Sequence, residues 1–194
     1  GAMRFRYGWG DRTLVMYIGT HGLSQGLETV LEAVRHIQDH SDIHFVFVGA
    51  GAERESLMEK AEQANLTHIE FIPSQPRQDM PDFYAAADIC LVPLKRRDIF
   101  LTNIPSKMFE IMACARPIIL GVEGQALEVL EQAGAGVAMP PEDAGALAGA
   151  ILQLAGDAQA RQQYGENGRA YVEVHCNRAR KAQELLEVLM GLRK

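Results

Sequence analysis

TNIPSKMFEIMACARPIILGV, residues 102–122, reads as a loop, then a helix, then a buried strand. Pro105 suits a first helical turn, where its missing N–H would have no partner in any case. Met108, Ile111, Met112 and Ala115 recur at helical spacing and predict one apolar face. Pro117 stops the helix, and PIILGV is an apolar run of strand length. Two residues run against this pattern. Lys107 puts a cation in the first turn, where the helix dipole disfavours it. Glu110 sits in an otherwise apolar helix. An anion at the helix start would account for the lysine, because free N–H groups there already favour a phosphate. A ligand hydroxyl would account for the glutamate. Together they point to a phosphorylated, hydroxyl-bearing ligand such as a nucleotide diphosphate. The plainer alternative is that Lys107 snorkels to solvent and pairs with Glu110 at i,i+3, a contact worth about 0.2–0.5 kcal/mol.

Outward from this stretch, strands and helices alternate. Strands are predicted over 14–19, 43–49, 69–73, 89–94, 117–122 and 136–139. Helices are predicted over 27–40, 53–65, 80–87, 126–133, 143–154, 158–174 and 178–192. Strands separated by helices imply βαβ units and a parallel sheet. Strands that are apolar almost throughout fit a sheet covered on both faces. The expected fold class is α/β: a doubly wound, Rossmann-like parallel sheet of about six strands with C-terminal helices. Such sheets bind ligands at the carboxyl ends of their strands, here Gly19, Gly49, Pro73, Leu94 and Gly121. No repeat or linker divides the chain, so residues 4–194 are expected to form one domain. Gly1-Ala2-Met3 reads as an expression scar and is left out of the fold.

Composition narrows the function. The chain has 194 residues, 47% of them hydrophobic, and a formal net charge of −6. No basic run interleaves with aromatics, so no nucleic acid is expected as partner. No apolar stretch nears the roughly 18 residues of a membrane helix, and no signal peptide is visible, so a cytoplasmic location is expected. Cys90 and Cys114 fall in apolar segments and read as reduced core residues.

Two loops could carry chemistry. The first, Gly19-Thr20-His21-Gly22-Leu23-Ser24-Gln25-Gly26, lets backbone approach a ligand, yet lacks the Gly-Lys-Ser/Thr ending of a P-loop. A flexible connection is the equal alternative. The second, Gly49-Ala50-Gly51-Ala52-Glu53-Arg54, starts like a dinucleotide fingerprint but has Arg54 at its third glycine position, which disfavours a dehydrogenase. His36 and His40 stand at i,i+4 on the first predicted helix without a glutamate partner, so no metal site is expected. No Gly-x-Ser-x-Gly elbow supports a hydrolase.

Five segments, in this order, carry a resemblance: VMYIGTHGLSQGLETVLEAV (15–34), FVFVGAGAERESL (45–57), IEFIPSQPRQDMPDFYAAADICLVPL (69–94), NIPSKMFEIMACARPII (103–119) and GAGVAMPPED (134–143). The chain resembles the C-terminal, donor-nucleotide-binding half of family 4 glycosyltransferases, which have the two-domain GT-B fold. The Pro-Ser-Lys loop with Phe-Glu-x-Met-Ala resembles the branch that builds bacterial surface polysaccharides.

The resemblance implies roles for particular residues. Glu110 matches the second glutamate of a paired signature that holds the ribose hydroxyls. The loop of Asn103, Pro105, Ser106 and Lys107 would hold the diphosphate, making Lys107 and Glu110 the candidate catalytic residues. Gly19, Thr20, His21 and Gly22 would approach the phosphates. Ile72, Pro73 and Gln75, with Gly49 and Gly51, would frame the base. Ala113 and Pro117 would pack the helix and strand. Three positions depart from the family pattern. Thr102 stands where the first glutamate is expected, and Thr20 and Gln25 stand where an arginine and a lysine are expected. The implied substrate is a nucleotide diphosphate sugar, UDP-linked by expectation, with no cofactor and no metal. The implied reaction is a retaining hexosyl transfer to a glycan or lipid-linked acceptor, near the inner face of the membrane. The acceptor would sit in an N-terminal domain that this chain lacks, so the chain alone is expected to be inactive. A sugar-nucleotide epimerase of the same architecture and a non-catalytic nucleotide-binding or interaction module stand as alternatives.

Overall fold

The computed structural model describes residues 2–191; the last residue of the final predicted helix, 192, lies outside them. The strands are β1 (Thr13–Ile18), β2 (Ile43–Val48), β3 (Ile69–Ile72), β4 (Ile89–Pro93), β5 (Ile118–Gly121) and β6 (Gly136–Ala138). The helices are α1 (Ala2–Tyr7), α2 (Leu27–His36), α3 (Arg54–Gln63), α4 (Met80–Ala86), α5 (Lys107–Ala113), α6 (Gln125–Ala133), α7 (Ala144–Gly156), α8 (Ala158–His175) and α9 (Arg178–Gly191). All strand pairs are parallel, in the order β3-β2-β1-β4-β5-β6. The doubly wound sheet expected from the sequence is therefore present.

Strand alternation sorts the core into two layers. Val15 and Tyr17 of β1 pack with α2, α3 and α7 residues such as Leu27, Leu57 and Ile151. Leu14, Met16 and Ile18 face the other way, onto Phe83 of α4, Met108 and Met112 of α5, and Leu130 of α6. Both faces are thus buried, which is why the strands read as unbroken apolar runs. Each large apolar side chain so buried contributes roughly 1.5–3 kcal/mol.

The chain lays down β1, moves outward to β2 and β3, then crosses back to β4 on the other side of β1. The order reverses between β1 and β4, and ligands of such sheets bind in the crevice at that point. The β1–β4 pairing covers only Val15↔Ile89 and Met16↔Cys90, against six pairs between β1 and β2.

Several sequence expectations change here. Ala2 and Met3, set aside as a scar, open α1, and Met3 is buried in the core. The helix is held because Arg4 reaches Asp88 at 2.5 Å and the Ala86 carbonyl at 3.1 Å, while Trp9 donates to Glu70 at 2.7 Å. The helix predicted over 27–40 ends at His36, so His36 and His40 do not share a helix face. Pro105 lies just before α5, not in its first turn, and its carbonyl accepts the Met108 N–H. Ala115 has left the helix. It takes a left-handed conformation (φ 53°), and Arg116 N–H donates to the Ile111 carbonyl, closing a Schellman turn before Pro117. The break before α8 falls at Asp157, whose carboxylate caps Ala160 N–H at 2.8 Å. The loop before α5 holds a 3-10 segment, Asp98–Thr102, that the sequence reading did not resolve.

Candidate functional site

The crevice is built from the loops that leave β1, β2, β3 and β4. The first loop is pinned to the second by backbone alone: His21 N–H donates to the Ala50 carbonyl, and Glu53 N–H donates to the His21 carbonyl, both at 2.9 Å. Gly51 is required at this seam. Its φ is +157°, and a side chain there would collide with the His21 backbone. Tyr17 anchors the loop from below, its hydroxyl donating to the Thr20 carbonyl at 2.7 Å and lying 2.9 Å from Gln25 Oε1. Burial holds that phenol neutral by raising its pKa.

Lys107 neither snorkels outward nor pairs with Glu110. Its ammonium lies 4.0 Å from the centre of the Tyr17 ring. It also lies so close to Gly19 that a side chain at residue 19 would meet Nζ at 2.5 Å. A lysine on α5 is thus delivered to the carboxyl end of β1, and glycine at residue 19 leaves room for it. Among the described residues no carboxylate forms an ion pair with it. Burial pushes its pKa down to about 8, against the opposing pull of Glu110. It is therefore a cation at neutral pH, partly stripped of water and held only by an aromatic face, a contact worth about 0.5–2 kcal/mol.

Two cavities flank Met80. One, of about 220 Å³, is lined by Gly19, Thr20, Gly49, Ser74, Gln75 and Met80 at the strand ends. The other, of about 260 Å³, is lined by Arg77, Met80, Tyr84, Glu110, Ala113 and Cys114. In the second, the Tyr84 hydroxyl donates to Glu110 Oε2 at 3.4 Å. Glu110 itself is exposed and keeps acceptor capacity free.

A model of the family described as glycosyl transferases group 1 matches residues 2–171. The chain belongs to this family. It is 26% identical over 196 residues to the GDP-mannose-dependent alpha-(1-6)-phosphatidylinositol monomannoside mannosyltransferase of Mycolicibacterium smegmatis, covering 99% of this chain and 51% of that protein. The chain therefore spans about half the length of that relative. Its fold matches Anabaena HepE, solved in complex with UDP and glucose, with a TM-score of 0.85 at 18% identity, over 97% of this chain and 51% of the other. It also matches the C-terminal domain of a glycosyl transferase group 1 family protein of Francisella tularensis, with a TM-score of 0.75 at 19% identity, over 91% of this chain and 92% of that one.

In this group 1 glycosyltransferase fold, the residues singled out by sequence divide into two sets. Gly19, Thr20, Gly49 and Gln75 line the strand-end cavity, Glu110 lines its neighbour, and Lys107 reaches Gly19. Ile72 is buried beneath, its carbonyl accepting the Gly49 N–H, and the Pro73 carbonyl accepts from the Gln75 side chain at 3.0 Å. Gly22, Gly51, Thr102, Asn103, Pro105 and Ser106 line neither cavity; Thr102, Asn103 and Ser106 are exposed on the approach to α5. His21 is placed otherwise than expected. Its ring is fully buried among Tyr17, Phe47 and Phe71, with neither nitrogen hydrogen-bonded. Burial, then the charges of Arg54 and Lys107, lower its pKa to about 4, so it is a neutral packing element behind the cavity wall. Ala113, expected to pack, is exposed and lines the Glu110 cavity, whereas Pro117 is buried as expected.

Tyr17, Met80 and Tyr84 were missed by the sequence reading. Tyr17 sits in an apolar strand, and only its polar tip, two residues before the glycine loop, signals a second task. Met80 and Tyr84 are spaced i,i+4 on one helix after the third strand, a face that does not read as a site until α5 is docked beside it.

Proposed function

We propose that the chain is the donor-binding domain of a retaining glycosyltransferase. It would bind a nucleotide diphosphate sugar and present it for transfer to a glycan or lipid-linked acceptor. One observation carries this reading: a desolvated, unpaired lysine held at the carboxyl end of β1, at the sheet's switch point, beside a cavity rimmed by glycine. A cation so placed, with no carboxylate partner among the described residues, suits a phosphate. The base would lie against Gln75 and the glycines of β1 and β2. The ribose hydroxyls would donate to Glu110, whose carboxylate is oriented by Tyr84. As the sugar leaves, negative charge builds on the diphosphate, and a preorganised Lys107 in a partly dry site stabilises it. In this reading the protein's own cations and N–H groups meet that charge, and no metal ion or cofactor is called for. The acceptor belongs to a second domain, which must close over this one on the face the leaving group vacates.

The mannosyltransferase named above is GDP-mannose-dependent and the HepE structure was solved with UDP, so both nucleotides are natural probes. A thermal-shift panel of UDP, GDP and their sugar conjugates tests the reading. A true ligand at 100 Kd stabilises by about 2.7 kcal/mol. No shift with any of them would contradict it.

A further inference from the structure

The resemblance places two phosphate cations on the first loop, at residues 20 and 25, and this chain has Thr20 and Gln25 there. Lys107 already brings one cation to the loop's start from outside. The loop's end has a second lysine beside it. Lys95 directly follows Leu94 at the end of β4, across the switch point from β1. Its N–H donates to the Ser24 carbonyl at 2.9 Å, which ties it to the first loop. Its stem runs along Gly26, where a side chain would meet Lys95 Cγ at 3.6 Å. Lys95 thus flanks Gln25 and Gly26, as Lys107 flanks Gly19.

Neighbouring cations are occupied. Arg96 lies 3.4 Å from Glu123, Arg97 donates to the Arg96 carbonyl at 2.9 Å, and Lys60 pairs with Glu28. Among the described residues Lys95 forms no side-chain hydrogen bond or ion pair. Glu28, the carboxylate whose pKa its charge helps to lower, is already held by Lys60. Lys95 is half-buried.

We propose that Lys95 is the second cation for the donor's diphosphate, delivered from β4 to the place where the loop's own lysine is missing. This rests on the donor-site reading above. A diphosphate carries at least two negative charges, and two lysines, Lys107 reaching Gly19 and Lys95 with its backbone and stem against Ser24 and Gly26, match it in charge. Charge-assisted contacts to phosphate are about twice as strong as neutral ones.

The test is calorimetric titration of this chain with UDP and GDP, their monophosphates and their nucleosides. For whichever diphosphate binds, Lys95→Gln is expected to weaken affinity 5- to 30-fold, with a smaller loss for the monophosphate and none for the nucleoside. Lys95→Arg should retain most of the affinity. Gln25→Lys placed in the Lys95→Gln background should restore it, because it returns the cation to the loop. Arg97→Gln should change nothing. Unchanged diphosphate affinity in Lys95→Gln, or an equal loss for the nucleoside, would overturn the assignment while leaving the donor site standing. Failure of both UDP and GDP to bind the unmodified chain would overturn the donor reading and this inference together.

Discussion

The two ends of the sheet treat positive charge in opposite ways. At the amino end, arginines are saturated. Arg4 donates to the carbonyls of Ala86, Gly10 and Arg12 and to Asp88. Arg116 donates to the carbonyls of Cys114 and Ala87, and Arg161 to those of Leu154 and Ala155. Their planar forks close strand starts and helix ends. At the carboxyl end arginines are also present, Arg96 pairing with Glu123 and Arg54 reaching the Phe71 carbonyl, but two lysines, Lys107 and Lys95, form no ion pair with a carboxylate among the described residues. Buried polar atoms without partners gather there too, on His21, Glu53 and Arg54. The arginines of the amino end are bound into the fold, whereas the two lysines of the carboxyl end are the groups that the donor-binding proposal assigns to a phosphate. Substitutions should therefore separate the ends, stability falling at one and ligand affinity at the other.

The largest expected effect is at the amino end. Asp88 accepts from Leu14 N–H at 2.7 Å as well as from Arg4. Asp88→Ala leaves Leu14 N–H and one Arg4 nitrogen without an acceptor, although Arg4 keeps its three carbonyls, and should lower stability by about 3 kcal/mol in urea unfolding, with diphosphate affinity unchanged wherever the protein remains folded. A loss of affinity without loss of stability would break the comparison.

Next is a pH effect within the carboxyl end. His21 titrates near 4 when folded and near 6.5 when unfolded. Below pH 6.5 the unfolded chain takes up a proton that the folded chain refuses, so stability should decline from pH 6.5 to about 4 and then level off. The loss is roughly 2–3 kcal/mol. His44 is shifted in the same direction, so the contribution of His21 is the difference between the unmodified chain and His21→Leu over that window. No difference would show that the ring is hydrated after all.

Glu110→Ala should weaken binding of a ribonucleotide diphosphate by about 1.5–3 kcal/mol and leave its 2′,3′-dideoxy analogue nearly unaffected. Equal losses for both ligands would make Glu110 structural. The smallest expected effect is that of EDTA, which should leave diphosphate affinity unchanged; a marked loss would show that a metal, not the lysines, meets the phosphate charge.

The fold was legible because both faces of each strand are buried, which turns the strands into unmistakable apolar runs between amphipathic helices. Element ends were less so: α2 stops at His36 because Ile37 turns its N–H back to Val34, a choice of local geometry and not of composition. At the site, Lys107 and Glu110 were found because each breaks a local rule, a cation at a helix start and an acid in an apolar helix. Lys95 breaks no rule in sequence, and its meaning comes only from the β1–β4 adjacency that the topology creates. His21 misled for the converse reason. In a glycine loop a histidine reads as a contact residue, yet Phe47 and Phe71, from strands 26 and 50 positions on, close around it.

The central claim is that Lys107 is reserved for ligand phosphate and does little for the fold. Calorimetric titration of the unmodified chain and Lys107→Ala with nucleoside, monophosphate and diphosphate, alongside urea unfolding of both, tests it most directly. The account predicts a diphosphate affinity lower by about 1–3 kcal/mol, a smaller loss for monophosphate, none for nucleoside, and stability within about 1 kcal/mol of the unmodified chain, because the lost Tyr17 ring contact is offset by relief from burying a cation at the positive end of the dipole. Because Lys107 titrates near 8, the affinity gap between the two proteins should also close as pH rises above that value. A less stable mutant that binds diphosphate normally would contradict it and make Lys107 a structural partner of the Tyr17 ring.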